Sequence, residues 1–169
     1  MMNASVFSTL RKLLNHDEPL PPPKEDKMSP SEDRSERRVM VIPCSGIGKA
    51  FGTISREAAY IAIEKMRPDV ADTVCLSLLV MGDEEARAKV RRLPTVTVDG
   101  CAKECARKNV ELAGGAVAAS LRVIDTFRQH HDLKPTAVSE LDEPGRKLAH
   151  FLAEEIAGEV DGIREAARW

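Results

Sequence analysis

The stretch TVTVDGCAKECARK, residues 95–108, changes character in its middle. An alternating run of β-branched residues, typical of a strand, leads up to Asp99 and Gly100. A helical pattern begins directly afterwards and carries Cys101 and Cys105, four residues apart. The stretch therefore predicts a strand-to-helix junction that holds two of the chain's four cysteines.

Strand and helix patterns alternate on both sides of this junction. Strands are predicted at residues 38–43, in the apolar run that follows Asp72, at 94–100 and at 120–127. Helices are predicted at residues 55–66 with Ser55 as N-cap, at 83–92, at 102–114, and from Pro144 onward. The last helix carries one apolar stripe, made of Leu148, Phe151, Leu152, Ile156, Val160 and Ile163. This alternation predicts an α/β fold, a single domain with a mostly parallel four-stranded sheet flanked by helices.

Composition excludes several classes of function. The chain has 169 residues, enough for one full core, and its 25 basic residues are interleaved with 27 acidic ones. No basic patch stands out, so we expect no nucleic-acid partner. No apolar run approaches the roughly 20 residues of a membrane-spanning helix, so we expect no membrane partner and a cytoplasmic location.

The first 37 residues are predicted to be a flexible extension of the domain at 38–169. PLPPPKEDKMSPSEDRSERR, residues 19–38, is rich in proline and charge and has almost nothing to bury. Ahead of it, apolar residues at helical spacing form either a short amphipathic helix that docks on a protein partner or a frayed turn: Val6, Phe7, Leu10, Leu13 and Leu14.

The cysteines are candidate metal ligands or nucleophiles, because disulfides rarely persist in a reducing cytosol. Cys44 follows the first predicted strand and Cys101 follows the third. Ligands of parallel α/β sheets bind at the carboxyl ends of the strands. Cys105 is predicted to share a helix face with Cys101, so these three thiols should point into one crevice.

Cys75 depends on where the second strand ends. A strand from Thr73 to Val80 would place Cys75 far from the carboxyl edge. If instead the strand ends near Cys75, the residues LSLLVMG form a loop or helical turn over the site and all four cysteines meet. We predict the second arrangement.

Three segments together resemble the DGC-domain family, prokaryotic zinc-binding proteins named for an Asp-Gly-Cys motif. They are CSGIGKAFGTISREAAY from Cys44, CLSLLVMG from Cys75, and VDGCAKECARKNVELAGG from Val98. The resemblance extends over about residues 38–165 and leaves out the extension. It implies that Cys44, Cys75, Cys101 and Cys105 are the family's four cysteines and that they hold zinc.

The chemistry of four thiols suits this site but leaves alternatives. Four thiolates can hold zinc tetrahedrally, and they can also hold an iron-sulfur cluster. Since the first three cysteines lie far apart in the chain, the site should be preformed by the fold and suited to metal storage, delivery, sensing or stability. The alternative is a thiol-dependent or iron-sulfur enzyme that uses Cys101 as nucleophile and Cys105 as its resolving partner.

Residues beside the cysteines have predicted structural roles. Asp99 is expected to cap the helix that follows it, and Gly100 to allow a tight turn. Lys49 is either a solvated lysine or a counter-charge for a thiolate site. The loop SGIGKAFG, residues 45–52, matches neither the dinucleotide-binding nor the P-loop pattern, although its amides could hold an anion.

Overall fold

The computed structural model describes residues 38–167. The predicted amphipathic segment at residues 6–14 and the proline-rich linker lie outside this range. Among the described residues, no helix is both long enough and apolar enough to cross a membrane.

Four strands form one sheet with every neighbouring pair parallel, in the order β2-β1-β3-β4. The strands are β1 Val39–Pro43, β2 Ala71–Asp72, β3 Thr95–Asp99 and β4 Val117–Arg122. The helices are α1 Ala50–Ile61, α2 Leu76–Met81, α3 Glu84–Arg92, α4 Cys105–Leu112, α5 Val123–Gln129 and α6 Glu143–Ala166. A π-helical turn at Ala62–Met66 extends α1. The predicted α/β class and parallel four-stranded sheet are confirmed.

The core lies on both faces of the sheet because side chains alternate along each strand. On one face, Val39 and Val41 of β1 join the core formed with α1, α5 and α6. On the other face, Met40 and Ile42 pack with α2, α3 and α4. The central strands are therefore buried on both sides, which explains their continuous apolar runs.

Helix α1 begins five residues earlier than predicted. Lys49 is its N-cap, and Ser55, predicted to be the cap, is instead buried inside the helix. The prediction failed because Gly52 and Ser55 are weak helix formers in isolation, whereas here both pack against the end of the sheet.

The second strand ends before Cys75, as in the shorter of the two arrangements, but it lies ahead of the apolar run after Asp72 in which it was predicted. Strand β2 ends at Asp72, and Leu76–Met81 forms a short helix rather than more strand. Cys75 is the N-cap of this helix. It therefore lies beyond the carboxyl end of β2 and not in the middle of the sheet.

The fourth predicted strand is wrong in its bounds. Strand β4 runs from Val117 to Arg122, and the residues from Val123 form α5. The partner strand explains the change, because β3 ends at Asp99 and Asp99 pairs with Arg122. Residues past Arg122 have no strand to pair with, so their backbone groups are satisfied in a helix.

Helices α3 and α6 begin as predicted. Asp83 caps α3 by accepting a hydrogen bond from the Ala86 amide at 2.9 Å, and Asp142 caps α6 by accepting from the Gly145 amide at 2.9 Å. The stripe on α6 is fully buried at Leu148, Leu152, Ile156 and Val160 and partly buried at Ile163. Phe151 is exposed and stacks on His130 with ring centroids 4.0 Å apart.

Candidate metal centre

Cys44 comes directly after β1 and is 6% exposed. Its sulfur accepts a hydrogen bond from the Gly100 amide at 3.3 Å and lies 3.3 Å from the Ser55 hydroxyl oxygen. The Ser55 hydroxyl donates its only proton to the Gly52 carbonyl at 2.8 Å, so the Cys44 thiol donates to Ser55. Cys44 is thus held in place between β1, α1 and the Asp-Gly segment.

Three glycines make this close packing possible. A Cβ on Gly46 would lie 2.1 Å from the Gly52 Cα, and a Cβ on Gly100 would lie 2.9 Å from the Gly52 nitrogen. Gly46 also has a positive φ of 52°, which favours glycine. The glycines therefore let the β1–α1 loop, the start of α1 and the end of β3 touch. Gly100 was predicted to allow a tight turn between strand and helix, and its contact with Gly52 is a second reason for a glycine at this bend.

Cys75 is exposed, and its sulfur lies 2.9 Å from the Ser77 hydroxyl oxygen. The pKa of the Cys75 thiol is lowered, chiefly by the hydrogen bond with the Ser77 side chain and further by the Ser77 backbone. Burial opposes this shift. Hydrogen bonds of this kind favour the thiolate, the form that binds metals.

Cys101 and Cys105 lie in different local structures. Helix α4 begins at Cys105, whereas Cys101 lies in a turn that the Glu104 amide closes on the Cys101 carbonyl at 3.1 Å. Cys101 is half-buried and Cys105 is exposed. The prediction that one helix carries both cysteines on one face is wrong in this structure, because the turn at residues 101–104 delays the helix.

Asp99 caps α4, as predicted, although it lies several residues before the helix. Its carboxylate accepts hydrogen bonds from the Ala106 amide at 2.8 Å and the Arg107 amide at 3.2 Å. Burial raises the pKa of Asp99, and the two amide hydrogen bonds oppose that shift. Asp99 thereby holds the first turn of α4, and with it Cys105, against the end of β3.

Arg56 and Ser55 are the site residues that sequence reasoning missed. Arg56 donates to the Ser45 carbonyl and, at 3.2 Å, to the Thr53 hydroxyl, so it links α1 to the loop that follows Cys44. Thr53 and Arg56 are three residues apart, a spacing that places them on one helix face. This spacing was not recognised in the sequence, because the helix was predicted to begin at Ser55 and Thr53 lay outside it. Lys49 is exposed.

All four cysteines follow the carboxyl ends of neighbouring strands. Cys75 follows β2, Cys44 follows β1, and Cys101 and Cys105 follow β3, and these three strands are adjacent in the sheet. Helices α2 and α4, whose first turns carry Cys75 and Cys105, pack against each other. All four are free thiols.

The donor set suits zinc by its chemistry, because free thiols become the thiolates that zinc binds. The side chains are nevertheless not gathered into a ligand group. Within residues 38–167, no three side chains of histidine, cysteine, aspartate or glutamate are placed so that they could hold a metal ion. The fold thus brings the cysteines to one edge, and their side chains would have to turn toward one another there.

Comparison with known proteins gave one match. No curated protein and no solved structure was found to be similar to this chain. A family model described as DGC domain matches residues 40–166, and membership suggests metal binding. This match extends from the first strand to the end of the last helix, and the chain therefore belongs to the DGC-domain family.

Proposed function

We propose that this domain binds one zinc ion through Cys44, Cys75, Cys101 and Cys105 and serves metal storage, delivery, sensing or stability. The strand order carries the proposal. In the order β2-β1-β3, the strands that precede the four cysteines are neighbours, so the thiols share one edge of the sheet. Neighbouring strands are only about 4.8 Å apart, which keeps all three connections within reach of a common ion.

The four thiols would contribute differently to binding. Cys44 is buried and held by Ser55 and Gly100, so it would act as the fixed ligand. The Gly100 amide already donates to its sulfur, an interaction typical of the outer shell around metal-bound sulfur. Cys75 and Cys105 are exposed, so their side chains can change rotamer at little cost.

The packing of the domain favours an exchangeable metal ion over one that only stabilises the fold. Of the four cysteines, only Cys44 belongs to a buried core cluster. The sheet and both helix layers are therefore packed without help from the other three thiols. Zinc would supply a tetrahedral centre that neutralises the thiolates, and its removal should leave the core intact.

Elemental analysis and visible absorption of protein purified without oxygen provide the first test. We expect a colourless protein that contains one zinc per chain. A brown protein that contains sulfide would contradict the zinc proposal and support an iron-sulfur cluster, the runner-up for four cysteine ligands. A protein with neither metal, but with a reactive thiol pair at Cys101 and Cys105, would support the thiol enzyme.

Cysteine variants test the ligand set. Cys75→Ser and Cys101→Ser should lower zinc affinity to a similar extent, and by more than the roughly 10- to 100-fold that loss of an outer-shell partner costs. The measurement is a competition titration with a chromophoric chelator. Ser45→Ala is the matched control, since it changes a side chain next to Cys44 without removing a thiol. Normal zinc affinity in Cys75→Ser would remove Cys75 from the site.

A further inference from the structure

Strand β4 forms one edge of the sheet, and within residues 38–167 it has a single neighbouring strand, β3. It has six residues, from Val117 to Arg122, and none of them is buried. An edge strand has backbone N–H and C=O groups that face away from the sheet and have no partner strand. These groups can pair with a strand of another chain.

The sequence of β4 lacks the residues that usually prevent such pairing. Edge strands are commonly protected by proline, by charged side chains or by very short length. Residues 117–121 are Val-Ala-Ala-Ser-Leu, with neither proline nor charge. The opposite edge is protected, because β2 has only two residues and its Asp72 forms an ion pair with Arg38 at 3.9 Å. A bulge, another protective feature, lies at the start of β4 at Ala118, and Ala119–Arg122 continue in regular register with β3.

We propose that β4 pairs antiparallel with β4 of a second copy of this chain, with Ser120 opposite Ser120 of the second copy. The two-fold axis then runs perpendicular to the sheet and between these two serines. In this register Ala119 of each copy lies opposite Leu121 of the other, so a small side chain meets a large one. The pairing requires no metal.

The side chains of β4 suit this register. Ala119 and Leu121 are half-buried and pack against the core that includes α1, α5 and α6. Residues directly opposite in an antiparallel pair point to the same face of the sheet. Ala119 and Leu121 of both copies would therefore extend this core from one sheet to the next. Ser120 is exposed and points to the other face, where the two hydroxyls can hydrogen-bond to each other.

Charge does not oppose the pairing. Arg122 is the only charged residue of β4, and it donates to the Asp125 carboxylate at 2.7 Å. In the proposed register Arg122 lies opposite Ala118 of the second copy. The two Arg122 residues are then four residues apart along the strands, about 14 Å, which exceeds the Debye length of roughly 8 Å at physiological salt.

Two-fold pairing also explains why the partner would be a second copy. Among the described residues each sheet has one long free edge, so pairing of the two β4 strands leaves only the short β2 edges. The assembly therefore closes as a dimer with one continuous sheet and does not grow into a fibre. A second copy also supplies a strand of matching length, with a small side chain opposite each larger one.

The mass of the protein in solution tests the pairing. Sedimentation at concentrations up to the millimolar range should show the wild type rising from the mass of one chain toward that of two. Ser120→Lys places two like charges directly opposite each other, about 5 Å apart, and should weaken dimerisation about tenfold or more. Ser139→Lys is the matched control, since it adds the same charge at an exposed loop serine, and it should dimerise like the wild type. A wild type that stays at the mass of one chain at every concentration would overturn the proposal.

Ser120→Cys gives a second measurement that does not depend on charge. Residues directly opposite in an antiparallel pair have Cα atoms about 4.5–5.5 Å apart, within the range that a disulfide requires. Mild oxidation should therefore cross-link Ser120→Cys into a dimer in much higher yield than the wild type or Ser139→Cys, which report the background from the four native cysteines. A dimer that Ser120→Lys leaves unchanged, or a Ser120→Cys yield no higher than that of Ser139→Cys, would exclude pairing through β4.

Discussion

At the scale of single residues, Asp142 shows how one carboxylate can organise a loop. It accepts hydrogen bonds from the amides of Gly145 and Thr136 and from the Thr136 hydroxyl, each at 2.9 Å. These bonds, led by the Thr136 amide, lower the pKa of Asp142 from its ordinary 3.8 to about 2. The pKa of Asp142 is lower in the folded protein than in the unfolded chain. Its ionised carboxylate therefore stabilises the fold above pH 3.8, and this stabilisation is lost as the pH falls toward 2. Asp142→Asn should therefore melt a few degrees lower than the wild type at neutral pH, with a gap that closes on acidification.

Thermal melts from pH 7 to pH 2 measure this gap. Asp132→Asn, an exposed carboxylate in the loop that precedes α6, is the matched control and should show little difference at any pH. A gap for Asp142→Asn that stays constant with pH would contradict the role assigned to its charge.

At the scale of elements, the glycines in two helices have opposite roles. A Cβ on Gly52 in α1 would lie 2.2 Å from the Gly46 Cα, a backbone atom that cannot move aside cheaply. A Cβ on Gly158 in α6 would meet nothing within 4 Å. Gly52→Ala should therefore destabilise the domain by about 3 kcal/mol, the upper end of the range for overpacked cores. Gly158→Ala should stabilise it by about 0.4–1 kcal/mol. Denaturant unfolding of the two variants measures both changes in the free energy of unfolding. Changes of similar size and sign would contradict the close contact between Gly52 and Gly46.

At the scale of the whole molecule, both core clusters are built from residues after Arg38, with β1 at the centre of the sheet. We predict that a chain starting at Arg38 keeps the same cooperative melt and the same zinc content, because the proline-rich linker that joins the extension to the domain has almost no apolar surface to contribute. Calorimetry and elemental analysis of the shortened chain test this. A lower melting temperature after truncation would place the domain boundary before residue 38.

Sequence patterns predicted a helix or strand well where the residues that fix its ends lie within the element itself. Helix α3 has acidic residues in its first turn and basic residues in its last, and it begins after Asp83 as expected. Prediction failed where the end of an element depends on another segment of the chain that packs against it. Strand β4 ends at Arg122 because β3 ends opposite it, and α1 includes Gly52 because that glycine fits against Gly46. Neither contact can be recognised from the sequence of the element alone.

The sequence by itself determined the class of fold and the placing of the cysteines at strand ends, because hydrophobic period and cap residues are local properties. Tertiary structure alone decided that β2, β1 and β3 are neighbours, since strand order depends on how helices distant in the chain pack on the sheet. It also decided the conformation between Cys101 and Cys105. A left-handed Glu104 is locally unfavourable, and it persists because Asp99 holds the amides of α4 while Gly100 is pressed against Gly52.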